Sequence, residues 1–194
     1  MKNIENEKVK IILNLIRSLR PKLYRKMMLT GRLFESLMEG YEEDITIDKA
    51  HYIEAAYLCN IGFLAIEENI HTEKFYKPME IDLIKKHVYQ SMQYLELNGF
   101  TEAAKIVEQH HEYPNGMGYF RNQLTDRVIA YLNIADEFID CTTEYYRNNP
   151  LMTHSHASEI VLGRYRNSTL LNKIEVDRIE ARLKKYYTKY VLNV

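Results

Sequence analysis

Only seven glycines and four prolines interrupt the 194 residues, and between them apolar side chains recur at three- and four-residue spacing rather than in alternation. That period lines one stripe of a helix and cannot line one face of a strand. The chain is therefore predicted to be all-α, a single helical bundle with short connections. Val9, Ile12, Leu13, Ile16 and Leu19 stripe a first helix, which Pro21 is expected to end. A second runs from Leu23 to Met38, with Gly40 as its C-terminal cap. A third spans Asp48 to Asn60 and stops at Gly62, and Phe63 to Pro78 reads as loop with at most a short helical turn. The fourth carries Ile81, Ile84, Val88, Met92 and Leu95 on one face and closes at Asn98-Gly99. Thr101 is expected to cap a fifth reaching Glu112, and Thr125 a sixth reaching Arg147. Stretches from His156 to Leu162 and from Lys173 to Val191 complete the set.

This length suffices for one sizeable core, organised as an N-terminal helix over 1–20 and a helical domain over 21–194. Net charge is -1, from 26 basic and 27 acidic side chains, so no basic field points to nucleic acid. The densest basic clusters, Lys22 to Lys26 and Lys184-Lys185, are assigned to solvated helix faces. Cys59 and Cys141 are too few for a disulfide framework, which implies a reducing compartment. From the polar stretch Met1 to Lys8 no signal peptide is expected, and no apolar run approaches the ~20 residues that cross a bilayer. A cytoplasmic protein without membrane attachment is expected. The Val9–Leu19 stripe reads as packing onto its own domain, with a homodimer seam as the alternative.

Four of these helices interrupt an apolar stripe with a polar or metal-compatible group. The third leads through Ile53 and Ala56 onto Cys59 and Asn60, and the fourth places His87 beside Ile84 and Val88. The fifth runs through Ala103, Ala104 and Val107 into His110 and His111, and the sixth through Val128, Ile129 and Leu132 to Asp136. A single buried histidine is ordinarily a hydrogen-bonded core residue. Burying unpaired imidazoles and carboxylates is costly, however, so four such groups are expected to share one interior site. His51, His71, His154 and His156 sit in polar surroundings and are assigned to the surface. The segment from His110 to Phe120, H-H-E-Y-P-N-G-M-G-Y-F, ends the fifth stripe with two imidazoles and then turns on two glycines. Neutral imidazoles beside a tight turn suit metal and substrate chemistry.

With these residues in view the chain resembles the HD-GYP branch of the HD metal-dependent phosphohydrolases, bacterial domains whose active members cleave cyclic di-GMP. His110, His111, Glu112, Gly116, Gly118 and Tyr119 match the motif H-H-E-x-x-D-G-x-G-Y-P, with Asn115 for Asp and Phe120 for Pro. His87 matches the histidine of the family's H-P pair, with Val88 for Pro, and Ile134-Ala135-Asp136-Glu137-Phe138 resembles I-A-D-x-F. The resemblance runs from about Tyr24 to Tyr187. It breaks at Leu58-Cys59-Asn60-Ile61-Gly62-Phe63, where the family has L-H-D-I-G-K. It breaks again at Tyr24 to Met28, where an earlier histidine would fall, and near Tyr145 and Arg147, where an arginine would.

The resemblance implies that His87, His110 and His111 serve one metal position and Asp136 the other, with only Cys59 and Asn60 left for company. In active relatives the HD aspartate bridges two metals that polarise the phosphate and generate a hydroxide nucleophile. Asn60 offers no bridging charge, and Phe63 removes a cation suited to phosphate. Cys59 as a thiolate would favour zinc, but a small buried apolar role is expected. At most one divalent ion, of zinc, iron or manganese, is expected, and no catalytic residue. Glu112, Asn115, Gly116, Gly118 and Tyr119 would form a loop that meets a ligand or partner. The implied function is a catalytically impaired protein of bacterial signalling that binds a partner protein or a cyclic dinucleotide. The alternative is a metal-dependent phosphodiesterase with a reduced, single-metal site. A sensor or receiver would then belong to another protein.

Overall fold

The computed structural model describes residues 6–41, 47–67, 77–143 and 152–191. Within them the chain forms α1 (Glu7–Leu19), α2 (Pro21–Met38), α3 (Lys49–Leu58), a 3-10 turn (Ile61–Ala65), α4 (Pro78–Leu97) and α5 (Thr101–Val107). Then follow α6 (Arg127–Thr142), α7 (His154–Gly163), α8 (Lys173–Tyr186) and a π turn over Tyr187–Val191. No strand forms among the described residues; an isolated bridge joins Tyr113 to Gln123. The all-α reading holds.

Local chemistry sets most of the helix starts. Asn6, Asp48 and Asp126 accept backbone N–H bonds from Lys8, Ala50 and Val128, and Asn172 with Glu175 forms a reciprocal capping box. Pro21 opens α2 rather than merely ending α1, because a first helical residue needs no N–H. Asp126, not Thr125, caps α6, and Phe100 stands at the N-cap of α5, where Thr101 is the first helical residue. The third helix ends at Leu58, and Gly62 lies inside the 3-10 turn that continues it. Helix α5 stops at Val107, so His110 and His111 lie beyond it. The expected end of the sixth helix at Arg147 and residues 68–76 of the loop after Phe63 fall outside the described residues, as do His71 and Tyr145.

Helices α2 and α6 form the centre. From Val128 to Ile139, α6 is buried almost throughout, and α2 packs on it and on α1, α3 and α8. Val9, Leu13 and Ile16 dock α1 onto this core, whereas Leu19, assigned to the same stripe, is 61% exposed. Ile81 likewise turns outward on α4. The larger correction is Lys26. It was expected on a solvated face, yet it lies on the inward stripe of α2 with Leu23, Met27, Thr30 and Phe34 and is fully buried. Lys22 and Arg25 beside it are exposed.

Candidate metal centre

Past Val107 the chain tightens instead of continuing the helix. His110 N–H donates to the Val107 carbonyl (3.3 Å), and Glu112 N–H to that of Gln109 (2.9 Å). Adjacent residues of a regular helix point about 100° apart and do not face each other. The tightened turn lets both imidazoles point inward, with ring centroids 4.1 Å apart. His87 arrives from α4. The ligand nitrogens of His87, His110 and His111 all lie within 4.8 Å of one another, and all three residues are buried.

Backbone carbonyls fix two of these rings. His87 Nδ1 lies 2.6 Å from the Ile84 carbonyl oxygen, and His110 Nδ1 lies 2.6 Å from that of Val107. A carbonyl only accepts, so each Nδ1 carries the proton and each Nε2 presents a lone pair. Those two Nε2 atoms face each other at 3.3 Å. Burial holds all three imidazoles below their ordinary range, with the His110 ring adding to the effect on His87 and His111. Two lone pairs in contact without a proton call for a cation between them. Nitrogens bound at about 2.0–2.1 Å to a tetrahedral zinc stand about 3.3–3.4 Å apart, so the spacing fits such an ion. His87, His110 and His111 are the residues that would hold it.

Aromatic rings wall this donor set. Phe63 stacks on His87 at 4.1 Å, and Tyr119 on His111 at 4.3 Å. The 3-10 turn is pinned to α4 through Ser91, whose Oγ accepts from Gly62 N–H (2.8 Å) and donates to the Cys59 carbonyl (2.7 Å). Tyr119 is placed by Glu112, which is turned inward: its carboxyl oxygens accept from the N–H groups of Phe120 (2.8 Å) and Asn122 (2.7 Å). Asn115 closes the outer turn by accepting from Met117 N–H, and Gly116 takes φ 67 there. A Cβ on Gly118 would lie 2.5 Å from the His111 carbonyl oxygen, so the close approach of this loop to the histidines requires glycine.

Asp136 joins the histidines to a second group. Its Oδ2 lies 3.7 Å from His111 Nε2 and makes no hydrogen bond among the described residues. Its Oδ1 accepts from the Asn60 amide (2.6 Å) and from the Thr30 hydroxyl (3.2 Å), and lies 3.2 Å from Lys26 Nζ. Lys26 also pairs with Asp140, one turn along α6. Burial opposes charge on Lys26, but Asp136 and Asp140 outweigh it and raise the ammonium further. Burial likewise works against a charged Asp136, and the Lys26 ammonium, His110 and the Asn60 amide together bring it below the usual carboxylate range. Cys59, pushed well up by burial and then by Asp136, stays a thiol that accepts from Asn60 Nδ2 at 3.1 Å.

The structure thus gathers His87, His110 and His111, and sets Asp136 against Asn60 and Cys59, as the sequence suggested. Asp136 has more company than expected. Lys26, Thr30 and Asp140 were not among the expected site residues, although Lys26 and Thr30 break the apolar stripe of α2 as His87 breaks that of α4. Beside the same loop, Glu137 holds Tyr113 and Arg164, whose guanidinium lies 4.3 Å from the Tyr113 ring centre.

No curated protein sequence matches this chain. Among solved structures it is similar to the HD domain of the L. monocytogenes phosphodiesterase PgpH, at 15% identity and a TM-score of 0.66, over 94% of this chain and 98% of that one. The same domain in complex with cyclic-di-AMP is similar at a TM-score of 0.65 and the same identity and coverage. At such identity the likeness establishes the fold. No helix among the described residues is long and apolar enough to cross a membrane. Residues 12–168 match the HD domain model, and with that match spanning most of its length the chain belongs to the HD domain family.

Proposed function

We propose that this chain is an HD-GYP-like signalling domain that binds a cyclic dinucleotide at a single-ion histidine centre and does not cleave it. The observation that carries the reading is the pair of Nε2 lone pairs, on His87 and His110, facing each other at 3.3 Å with both Nδ1 protons committed to carbonyls. One divalent ion there, zinc, iron or manganese, would supply a positive charge able to take a phosphate oxygen. Tyr119 stands beside it with Lys85 Nζ 5.6 Å from its ring centre, offering a flat face and a cation to a base and a phosphate. The cyclic dinucleotide is favoured because a structural neighbour was solved with cyclic-di-AMP. The H-H-E-x-x-x-G-x-G-Y segment adds cyclic di-GMP as a candidate. The Asn60 amide donates to Asp136 where a bridging carboxylate would be needed, which speaks for binding without turnover. A protein partner would then read the bound state.

Calorimetric titration of the zinc-loaded chain with cyclic di-GMP and cyclic di-AMP tests this. Saturable binding of at least one is expected, lost in His110→Ala and weakened about 5-fold or more in Tyr119→Ala, the loss of one stacked base at about 1–3 kcal/mol. Absence of binding to both, with zinc in place, contradicts the reading. The alternative, a reduced-site phosphodiesterase, rests on the complete histidine trio, and the turnover assay in the Discussion decides it.

A further inference from the structure

We infer that the Lys26 ammonium is a built-in cation that takes the place of a second metal ion, so that Oδ1 of Asp136 is closed to divalent cations. This deepens the single-ion reading but rests on it only for the first ion.

The geometry around Asp136 divides its two oxygens. Oδ2 faces His111, and Oδ1 is committed to Lys26, Asn60 and Thr30. A buried carboxylate needs a compensating charge, and Asp136 has no exposed side-chain surface. A bridging divalent ion is one solution. Here α2 supplies another: a compact point charge on a flexible stem, entering along the buried face between Leu23 and Thr30. The Lys26 side chain is fully buried and pairs with both carboxylates. An ion within bonding reach of Oδ1, about 2.0–2.2 Å, would share that oxygen with an ammonium 3.2 Å away. Like charges held against one oxygen, away from water, exclude one another. Asn60 reinforces the exclusion, since its amide N–H groups point at Asp136 and at Cys59 and present no lone pair there. The consequence is an Asp136 position that is charge-balanced without any added metal.

Thermal melts in chelator-treated buffer test this, with magnesium as the probe because it prefers carboxylate oxygens to imidazole. Wild-type protein should show no change in Tm with magnesium. Lys26→Met keeps the stem and removes the charge, and should lower Tm by about 6–20 °C, the scale of breaking a buried ion pair in a chain of this size. Magnesium should then restore at least half of the loss. Lys26→Met/Asp136→Asn removes the uncompensated carboxylate as well, and should recover Tm without magnesium and no longer respond to it. If Lys26→Met yields no folded protein, recovery of folded, magnesium-indifferent protein in the double variant supports the inference. A Lys26→Met variant that melts like wild type overturns it. So does a double variant no more stable than the single one, or a magnesium response of wild-type protein that Asp136→Asn abolishes. His110→Ala removes the first ion and should leave all of these results unchanged, so a failed histidine site and a failed lysine inference are told apart.

Discussion

Loaded with manganese, iron or zinc, the purified chain is expected to cleave cyclic di-GMP and cyclic di-AMP at least about 10²–10³-fold more slowly than an HD phosphodiesterase with both metals, the loss typical of removing one electrostatic contributor. Cleavage of a phosphodiester needs an activated nucleophile and compensation of the charge that develops on the phosphate oxygens. Several groups bear on that requirement here, and all point the same way. The Asn60 side chain spends its amide on Asp136 and on the Cys59 sulfur. Burial keeps the Cys59 thiol protonated, so it brings no anion to a metal. Phe63 lies flat on His87 where the resembled family carries lysine. Lys26 brings a positive charge, but fully buried behind Asp136, where no substrate reaches it. Such losses need not add, so the bound is set by one of them. Chromatography of the reaction mixture for linear dinucleotide checks the point. Turnover stimulated by manganese or iron and abolished by His111→Ala would establish the phosphodiesterase alternative.

Gly62→Ala is expected to be the most destabilising single methyl in the molecule. A Cβ at this position would lie 2.1 Å from the His87 carbonyl oxygen and 2.7 Å from the Ser91 backbone nitrogen. Both are main-chain atoms of α4 and cannot swing aside as a side-chain end would. The 3-10 turn must therefore lift off α4, breaking the Gly62–Ser91–Cys59 hydrogen bonds. The Phe63 ring would move off His87 with it. Overpacking of this kind costs about 3 kcal/mol, which lowers Tm by about 6–12 °C in a domain of this size. Gly163→Ala is the control, because no heavy atom lies within 4 Å of its added methyl and it sits on a helix. Its melt should stay within about 2 °C of wild type, or rise slightly, since alanine restricts the unfolded chain.

Periodicity and residue type directly encode the bundle and its histidines. Apolar spacing gave the all-α bundle, and the histidines that interrupt it gave the trio that the fold assembles. Helix ends were less legible. Thr101 and Thr125 looked like caps, but Phe100 and Asp126 took those places, because a cap is decided by which side chain reaches the first free N–H groups. The fifth helix stopped short of His110 because a tighter turn lets both imidazoles face inward, and no local propensity announces that. Lys26 was hidden for a different reason. Its neighbours Lys22 and Arg25 make the segment look like a solvated basic cluster, and a lysine is almost never fully buried without a partner. That partner, Asp136, lies 110 residues further along the chain. The stripe Leu23, Lys26, Met27, Thr30, Phe34 nevertheless carries the signal, a polar break in an apolar helix face like that of His87 on α4.

The most direct test of the central claim is a count of metal ions per chain by elemental analysis, made on protein equilibrated with excess zinc and then freed of loosely held metal. One ion per chain is expected in the wild type and none in His110→Ala. Two retained ions per chain, or one ion that survives His110→Ala, would contradict it.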